Sequence, residues 1–372
     1  MSLSLKQIKS LPKISLHDHL DGGVRIKTLI ELSAKIGHTL PSTDPKELAA
    51  WFHQSADSHD LVTYLKTFDH TIAIMQTVEG LTRVAREFVQ DLAEDGVIWG
   101  EIRWAPEQHL HQGLTLDQVV EAVQEGIDLG VADAAKKDFH MDAGQILCAM
   151  RHQDNALDIA KLAVRHRNIG VVGFDIAGPE IGFLPSRHRA AFEYLAEHMF
   201  PTTVHAGEEG GLSSIRSAIV DGRTLRLGHG VHVVEDIQVT DAGDHNSVVL
   251  GEVASWVLDR GIAIECCPRS NMQTAAMDGI GDSIEDHPFD LFYQLGFRAT
   301  ISPDNRLMSD TSVSRELELM VETFEYDLRD LELIQLNAVD AAFLPLDVRE
   351  ELSDRVIAEF AIAAERLGLN EN

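Results

Sequence analysis

The chain has 372 residues, 44% of them hydrophobic, which suffices for two average domains or one large α/β barrel. Sixty acidic against 31 basic residues give a formal net charge of −29, a surface that repels phosphate backbones and anionic membranes and argues against nucleic-acid or membrane partners. Small neutral or cationic ligands fit it better.

Strand-like runs recur at 12–18, 97–104, 144–150, 169–176, 201–205, 224–228, 261–267 and 297–303. Segments of helical periodicity, such as 81–92 and 157–164, lie between most of them. This alternation predicts an α/β fold, a (β/α)8 TIM barrel in one domain spanning 1–372; an open doubly wound sheet is the rival. The first run ends in Ile14-Ser-Leu-His17-Asp18-His19-Leu-Asp21-Gly22. On a strand His17 and His19 share a face and supply half a metal site. With 18 histidines in the chain, about one His-x-His is expected by chance, and a second, His109-Leu-His111, sits in a Pro-flanked stretch that reads as a loop.

The gap before the second run, with a helix expected over 58–70, predicts extra helices at about 45–80, a lid over the carboxyl face of the barrel. The acidic stretch 235–250 reads as a turn-rich surface excursion. Beyond residue 310 three more helices are expected, at 314–321, 329–342 and 346–367. No apolar run suits a signal peptide or a bilayer span, so a cytoplasmic protein is expected. Cys148, Cys266 and Cys267 form no disulfide framework or Cys-x-x-Cys site and read as reduced, buried thiols.

In a barrel, reactive groups collect at the carboxyl ends of the strands. There this chain carries His17 and His19, His205 with Glu208, His229, and Asp304. Three histidines and one aspartate suit a single zinc ion with room for water. Glu208, three residues past His205, is placed as a proton carrier, although a helix-start glutamate is the competing reading. His229 lies between glycines that allow close backbone approach. Asp304 also reads as part of an ordinary Pro-Asp-Asn turn. No lysine follows Lys161, which removes a bridging carboxylated lysine and favours one metal. His-Glu-x-x-His, Gly-x-Ser-x-Gly, P-loop and strand-linked Gly-x-Gly-x-x-Gly patterns are absent from the sequence.

Taken in order, Leu16-His-Asp-His-Leu-Asp-Gly22, Trp99-Gly-Glu-Ile-Arg-Trp-Ala-Pro106, Val172-Gly-Phe-Asp-Ile-Ala-Gly178, His205-Ala-Gly-Glu208, Leu227-Gly-His-Gly230, Cys267-Pro-Arg-Ser-Asn271 and Asp304-Asn-Arg-Leu-Met308 resemble the adenosine deaminases of the metal-dependent amidohydrolase superfamily, bacterial type. The resemblance implies that His17, His19, His205 and Asp304 bind one Zn2+ whose water adds to C6 of the purine. Glu208, His229 and Asp304 would be the catalytic set, with Glu208 giving a proton to N1 and His229 orienting the nucleophile. It further implies substrate contacts from His19, Asp21 (to the ribose 5′-hydroxyl), Gly178 (a backbone N–H to the purine edge), Asn305, and a lid trio of Tyr64, Leu65 and Phe68 whose competing reading is core packing.

Asp21 favours a nucleoside over AMP through charge repulsion. Asn305 stands where many members have a second Asp, and an amide there would donate to N7 without needing a proton. Pro303 and Pro179 are further departures that bear on specificity. The implied activity is conversion of adenosine and 2′-deoxyadenosine to inosine and 2′-deoxyinosine with loss of ammonia. The alternatives are a deaminase of adenine or a modified adenosine, and a non-catalytic barrel that binds a purine nucleoside. The sequence leaves the oligomeric state open.

Overall fold

The computed structural model describes residues 3–57, 64–241 and 246–369. Its strands are β1 (Lys13–His19), β2 (Val97–Trp104), β3 (Asp142–Met150), β4 (Val171–Ala177), β5 (Thr203–Ala206), β6 (Arg226–His229), β7 (Ile237–Asp241), β8 (Asn246–Leu250), β9 (Ala263–Cys266) and β10 (Ala299–Ile301). Parallel pairing runs β1-β2-β3-β4 and β10-β9-β6-β5. Bridges from Asp18 to Asp304 and from Phe174 to Thr202 join the two halves at both seams. The ring is therefore closed, as a (β/α)8 barrel requires and an open sheet does not.

All eight expected barrel strands form, but the last five begin about two residues later than their apolar runs. Thr202, Leu225, Ile262 and Arg298 belong to the entry loops beneath them, where pairing is by single bonds such as Leu225 N–H to the Thr202 carbonyl (2.9 Å). His205 and His229 consequently sit inside the carboxyl ends of β5 and β6 rather than beyond them.

The stretch 235–250 departs from expectation in kind. It leaves the barrel, but as an antiparallel ribbon of β7 and β8, since Ile237, Val239, Val248 and Val249 favour extended backbone. Val239 and Val249 stay exposed. Residues 242–245 lie outside the described part.

Between β1 and β2 come helices Ile26–Ile36, Pro45–Ala56 and Phe68–Ile74, followed by the barrel helix Val78–Glu94. Of the helix expected over 58–70, residues 58–63 lie outside the described part, and helical structure is described from 64–65 and Phe68 onward. Helix Val78–Glu94 shows how these elements are specified: the Thr77 side chain accepts from Gly80 N–H, a cap worth about 1 kcal/mol. Leu81, Val84, Ala85, Phe88, Val89 and Leu92 then make one buried face. That helix packs on Leu116–Ala135, where Gly130 permits the contact: a Cβ there would lie 2.6 Å from Val89 Cβ.

The carboxyl-terminal helices are Val313–Phe324, Leu328–Ala341 and Leu346–Leu367, close to the expected limits. Gln335 reaches from the second of these to accept Ile14 N–H at 2.9 Å, tying it to β1. The three cysteines are buried and free. Among the described residues no helix is long and apolar enough to cross a membrane.

Candidate metal and active site

At the carboxyl mouth of the barrel His17 and His19 point the same way, as alternation along β1 predicts. The Nε2 atom of each lies 3.3 Å from Asp304 Oδ1. The His205 ring is 4.7 Å from that of His17 and 5.4 Å from that of His19, centroid to centroid. His17 Nε2 and Asp304 Oδ1 are buried without a hydrogen-bond partner.

Burial, reinforced by the Arg103 charge, pushes the His17 pKa down to about 4, so its ring is neutral with a lone pair to offer. Burial holds His19 well below its usual value too. For Asp304 burial acts upward, but hydrogen bonding to His17 and the neighbouring imidazoles keep it well below the usual carboxylate range. A buried cluster of lone pairs and an ionised carboxylate is a cation site by its chemistry.

The rings are aimed from behind. The Glu265 Oε2 atom lies 2.9 Å from His17 Nδ1, and Asp175 Oδ2 lies 2.8 Å from His205 Nδ1. A carboxylate can only accept, so His17 Nδ1 carries the proton and its Nε2 is left bare. At His205 burial acts downward, but the Asp175 carboxylate outweighs it and raises the imidazole pKa above its usual value, so a cation bound at its Nε2 would replace a proton there. Arg103 donates to both carboxylates, at 2.9 Å to Asp175 and 2.7 Å to Glu265. On its other oxygen Glu265 meets Arg226, which also pairs with Glu101, each at 2.6 Å. These five charged side chains fill the barrel interior at 0–1% exposure. Charges so placed persist only when mutually paired. Opposite, Ser270 O–H donates to Asp304 Oδ2 at 2.6 Å.

His229 has the reverse arrangement. The Asn271 side-chain oxygen accepts from Cys267 N–H and from His287 Nε2, each at 3.1 Å, so its amide NH2 faces His229 Nδ1 at 3.0 Å and donates to it. With Nδ1 accepting, the neutral ring carries its proton on Nε2, which lies 3.7 Å from Glu208 Oε2. His17, His205 and His229 also converge within 4.8 Å, but a protonated Nε2 makes His229 a donor rather than a ligand. Both His229 (φ 64°) and Asp304 (φ 61°) hold left-handed backbone, strain of about 1–3 kcal/mol each that collects at functional positions. Gly228 beside His229 is needed for closeness: a Cβ there would stand 3.3 Å from His17 Cε1.

A cavity of about 240 Å³ opens beside this cluster and brings together His19, Asp21, Tyr64, Leu65, Phe68, Gly178, His205, Glu208, His229, Asp304 and Asn305. His17 lies behind it, fully buried. Every site residue expected from the sequence is therefore in or against one pocket. Asp69, Ile72, Ala105, Gln108, Cys148, Met150, His152 and Ala177 complete its wall. Asp21 is buried, which raises its pKa to about 6, and its Oδ1 lacks a partner. Tyr64 is buried beside Phe68 with its hydroxyl unpartnered. A larger open depression, about 840 Å³, lies at the amino ends of the strands among Arg167, Trp256 and Arg298 and contains none of these groups. His109 is a buried core histidine against Trp104 and His111 is exposed, so the second His-x-His takes no part.

Sequence reasoning assigned no role to Asp175, Glu265, Arg103, Arg226, Ser270 or Asn271. For Asp175, Glu265, Arg103 and Arg226 the available signal was charge inside apolar strand runs, in Val171–Ala177, Ala263–Cys266, Val97–Trp104 and Arg226–His229, where an ionised side chain buried on a strand must find a partner; Ser270 and Asn271, uncharged and on the helix Pro268–Gln273, carry no such signal.

The family model described as adenosine deaminase matches residues 12–359. Adenosine deaminase 1 of Streptomyces coelicolor is 50% identical over 94% of this chain and 87% of its own length. The adenosine deaminase of Mycobacterium marinum is 48% identical over 95% and 96%. Among solved structures, a zinc-bound amidohydrolase from Burkholderia ambifaria superposes with a TM-score of 0.83 at 23% identity, covering 100% of this chain and 97% of that one. The N6-methyl-AMP deaminase of Arabidopsis thaliana superposes with a TM-score of 0.77 at 25% identity, covering 95% and 98%. By the extent of the family match and by its identity to these relatives, the chain belongs to the adenosine deaminase family.

Proposed function

We propose that this protein hydrolyses the C6–amino bond of adenosine and 2′-deoxyadenosine, water entering and ammonia leaving to give inosine and 2′-deoxyinosine, at a site that holds one zinc ion. The observation that carries the reading is the convergence of His17 Nε2, His19 Nε2 and Asp304 Oδ1 beside a cavity whose wall holds Glu208 and His229. These three atoms and the Nε2 of His205 would hold the ion. When bound, it supplies the Lewis acidity that makes water a nucleophile at neutral pH.

The chain's own groups do the rest. Glu208 carries a proton to purine N1, which makes C6 electrophilic. The Nε2–H of His229 orients the entering oxygen by donation. Gly178 offers its N–H to the purine edge, and Asn305 donates its amide to N7. Asp21 accepts from the ribose 5′-hydroxyl; a 5′-phosphate there would meet a buried carboxylate, and Asp69 also lines the cavity. Tyr64, Leu65 and Phe68 belong to the helical insertion at about 45–80, a lid over the nucleoside that keeps bulk water out. A cytoplasmic setting is part of the same reading, since buried free thiols suit a reducing compartment.

Ammonia release by the zinc-loaded protein, with adenosine, 2′-deoxyadenosine, adenine and AMP in parallel, tests this. Turnover of the two nucleosides alone is expected, lost in Glu208→Gln with zinc retained. Silence on all four overturns the activity. Turnover of AMP overturns the role of Asp21, and an active Glu208→Gln removes Glu208 from proton transfer.

A further inference from the structure

The turn that carries Glu208 is held by a residue with no part in the reading above. Glu180, in the loop after β4, is 2% exposed. Its Oε1 accepts from Gly207 N–H at 2.8 Å, and its Oε2 accepts from Glu208, Glu209 and Gly210 N–H at 3.1, 2.7 and 2.9 Å. An ordinary helix cap satisfies one or two such donors. Here four consecutive amides at the entry to helix Gly211–Val220 converge on one carboxylate from another strand's loop.

Glu180 also lies two residues from Gly178, a stretch of chain that spans at most about 7 Å. One carboxylate thus fixes the segment whose N–H meets the purine edge to the turn whose side chain delivers the proton. The fit is tight: a Cβ on Gly210 would lie 2.6 Å from Glu180 Oε1. Arg151 supports the same corner, its guanidinium donating to the His205 carbonyl at 2.9 Å and to the Phe183 carbonyl at 3.0 Å. Burial alone would raise the Glu180 pKa, but Arg151 and the amides bring it below the usual value, so the acceptor is ionised.

We propose that Glu180 is a positioning residue for proton transfer, holding the Glu208 turn in register with the Gly178 segment through its four amide hydrogen bonds. This rests on the assignment of Glu208 as proton carrier. A displacement of about 1 Å in such a group costs on the order of 100-fold in rate, whereas substrate binding, shared among the other cavity residues, changes little. In Glu180→Gln the amide NH2 must face backbone donors, so at least one acceptor is lost.

The test compares wild type, Glu180→Gln, Glu180→Asp and Gly210→Ala as zinc-loaded full-length proteins, with kcat, KM, bound zinc and amide hydrogen exchange measured for each. The expected result for Glu180→Gln is a 10- to 100-fold fall in kcat, KM for adenosine within about threefold, zinc unchanged and faster exchange at Gly207–Gly210. Glu180→Asp, which keeps the charge, recovers part of the loss. If Glu180→Gln does not fold, Gly210→Ala decides by the same criteria, because it pushes on the Glu180 carboxylate with every charge retained. Faster exchange with kcat unchanged, or a fall in kcat that follows lost zinc or lost folded protein, overturns the proposal. Wild-type protein silent on adenosine would instead overturn the deaminase reading.

Discussion

Asp304 is joined to His17 twice: its backbone N–H donates to the His17 carbonyl at 3.0 Å, and its side-chain Oδ1 lies 3.3 Å from His17 Nε2. His19 N–H donates in turn to the Asp304 carbonyl at 2.9 Å. The seam that closes the barrel between β10 and β1 is thus built from the residues that meet at the candidate metal site. Closing this seam brings His17, His19 and Asp304 together.

The carboxylates behind the imidazoles set their usable nitrogen. Asp175→Asn weakens the hold on the His205 Nδ1–H and removes a partner of Arg103. The expected outcome is zinc affinity lowered by about 10- to 100-fold, read by competition with a chromophoric chelator. An unchanged affinity would separate Asp175 from metal binding.

His229 offers a test of tautomer. Asn271→Asp replaces the NH2 that donates to Nδ1 with an acceptor, so Nδ1 takes the proton and, in the neutral ring present at high pH, Nε2 turns from donor to acceptor. A wrong tautomer at a catalytic imidazole costs up to about 10,000-fold. A fall in kcat of at least about 100-fold is expected, with KM little changed. Activity near wild type would remove the Nε2–H from the mechanism.

Asp21→Asn keeps the shape of the 5′ pocket and removes its charge. The preference for adenosine over AMP, as a ratio of kcat/KM, should narrow by at least about tenfold, equivalent to about 1.4 kcal/mol. A constant ratio in steady-state assays would mean that another group excludes the phosphate.

Glu316 gives a pH signature in stability. Burial pushes its carboxyl up to about 7, against the pull of Thr311 and Arg269. Between the ordinary carboxylate range and pH 7 the folded chain therefore binds this proton when the unfolded chain does not, so the contribution falls as pH rises through that window. Glu316→Gln removes the dependence. From pH 5 to pH 8.5 its stability relative to wild type should shift in its favour by roughly 2–3 kcal/mol, by denaturant unfolding at both values. No relative shift would mean that Glu316 ionises normally.

The residues that chemistry needs were legible where the pattern is local. His17 and His19 are two apart on a strand, Glu208 follows His205 by three, and the 346–367 helix is written in its periodicity. What stayed hidden depends on closure of the ring. Asp175 and Glu265 are single acidic residues in apolar runs, and whether they face the lumen or a helix is fixed only once eight strands are arranged. Asn271 and His287 act on His229 from 42 and 58 positions away. Glu180 leaves no sequence trace because its partners are backbone amides. The ribbon of β7 and β8 is hidden for another reason, its acidic and turn-forming residues outweighing the few β-branched ones, Ile237, Val239, Val248 and Val249.

The most direct test is to strip the protein of metal with a chelator and titrate zinc back while following ammonia release from adenosine. Activity that is absent without metal and rises linearly to a plateau at one zinc per chain is the predicted result, with His17→Ala and Asp304→Ala failing to recover at the same zinc concentration. Deamination that survives complete metal removal, or that needs two ions per chain, would contradict a single-ion site built on His17, His19, His205 and Asp304.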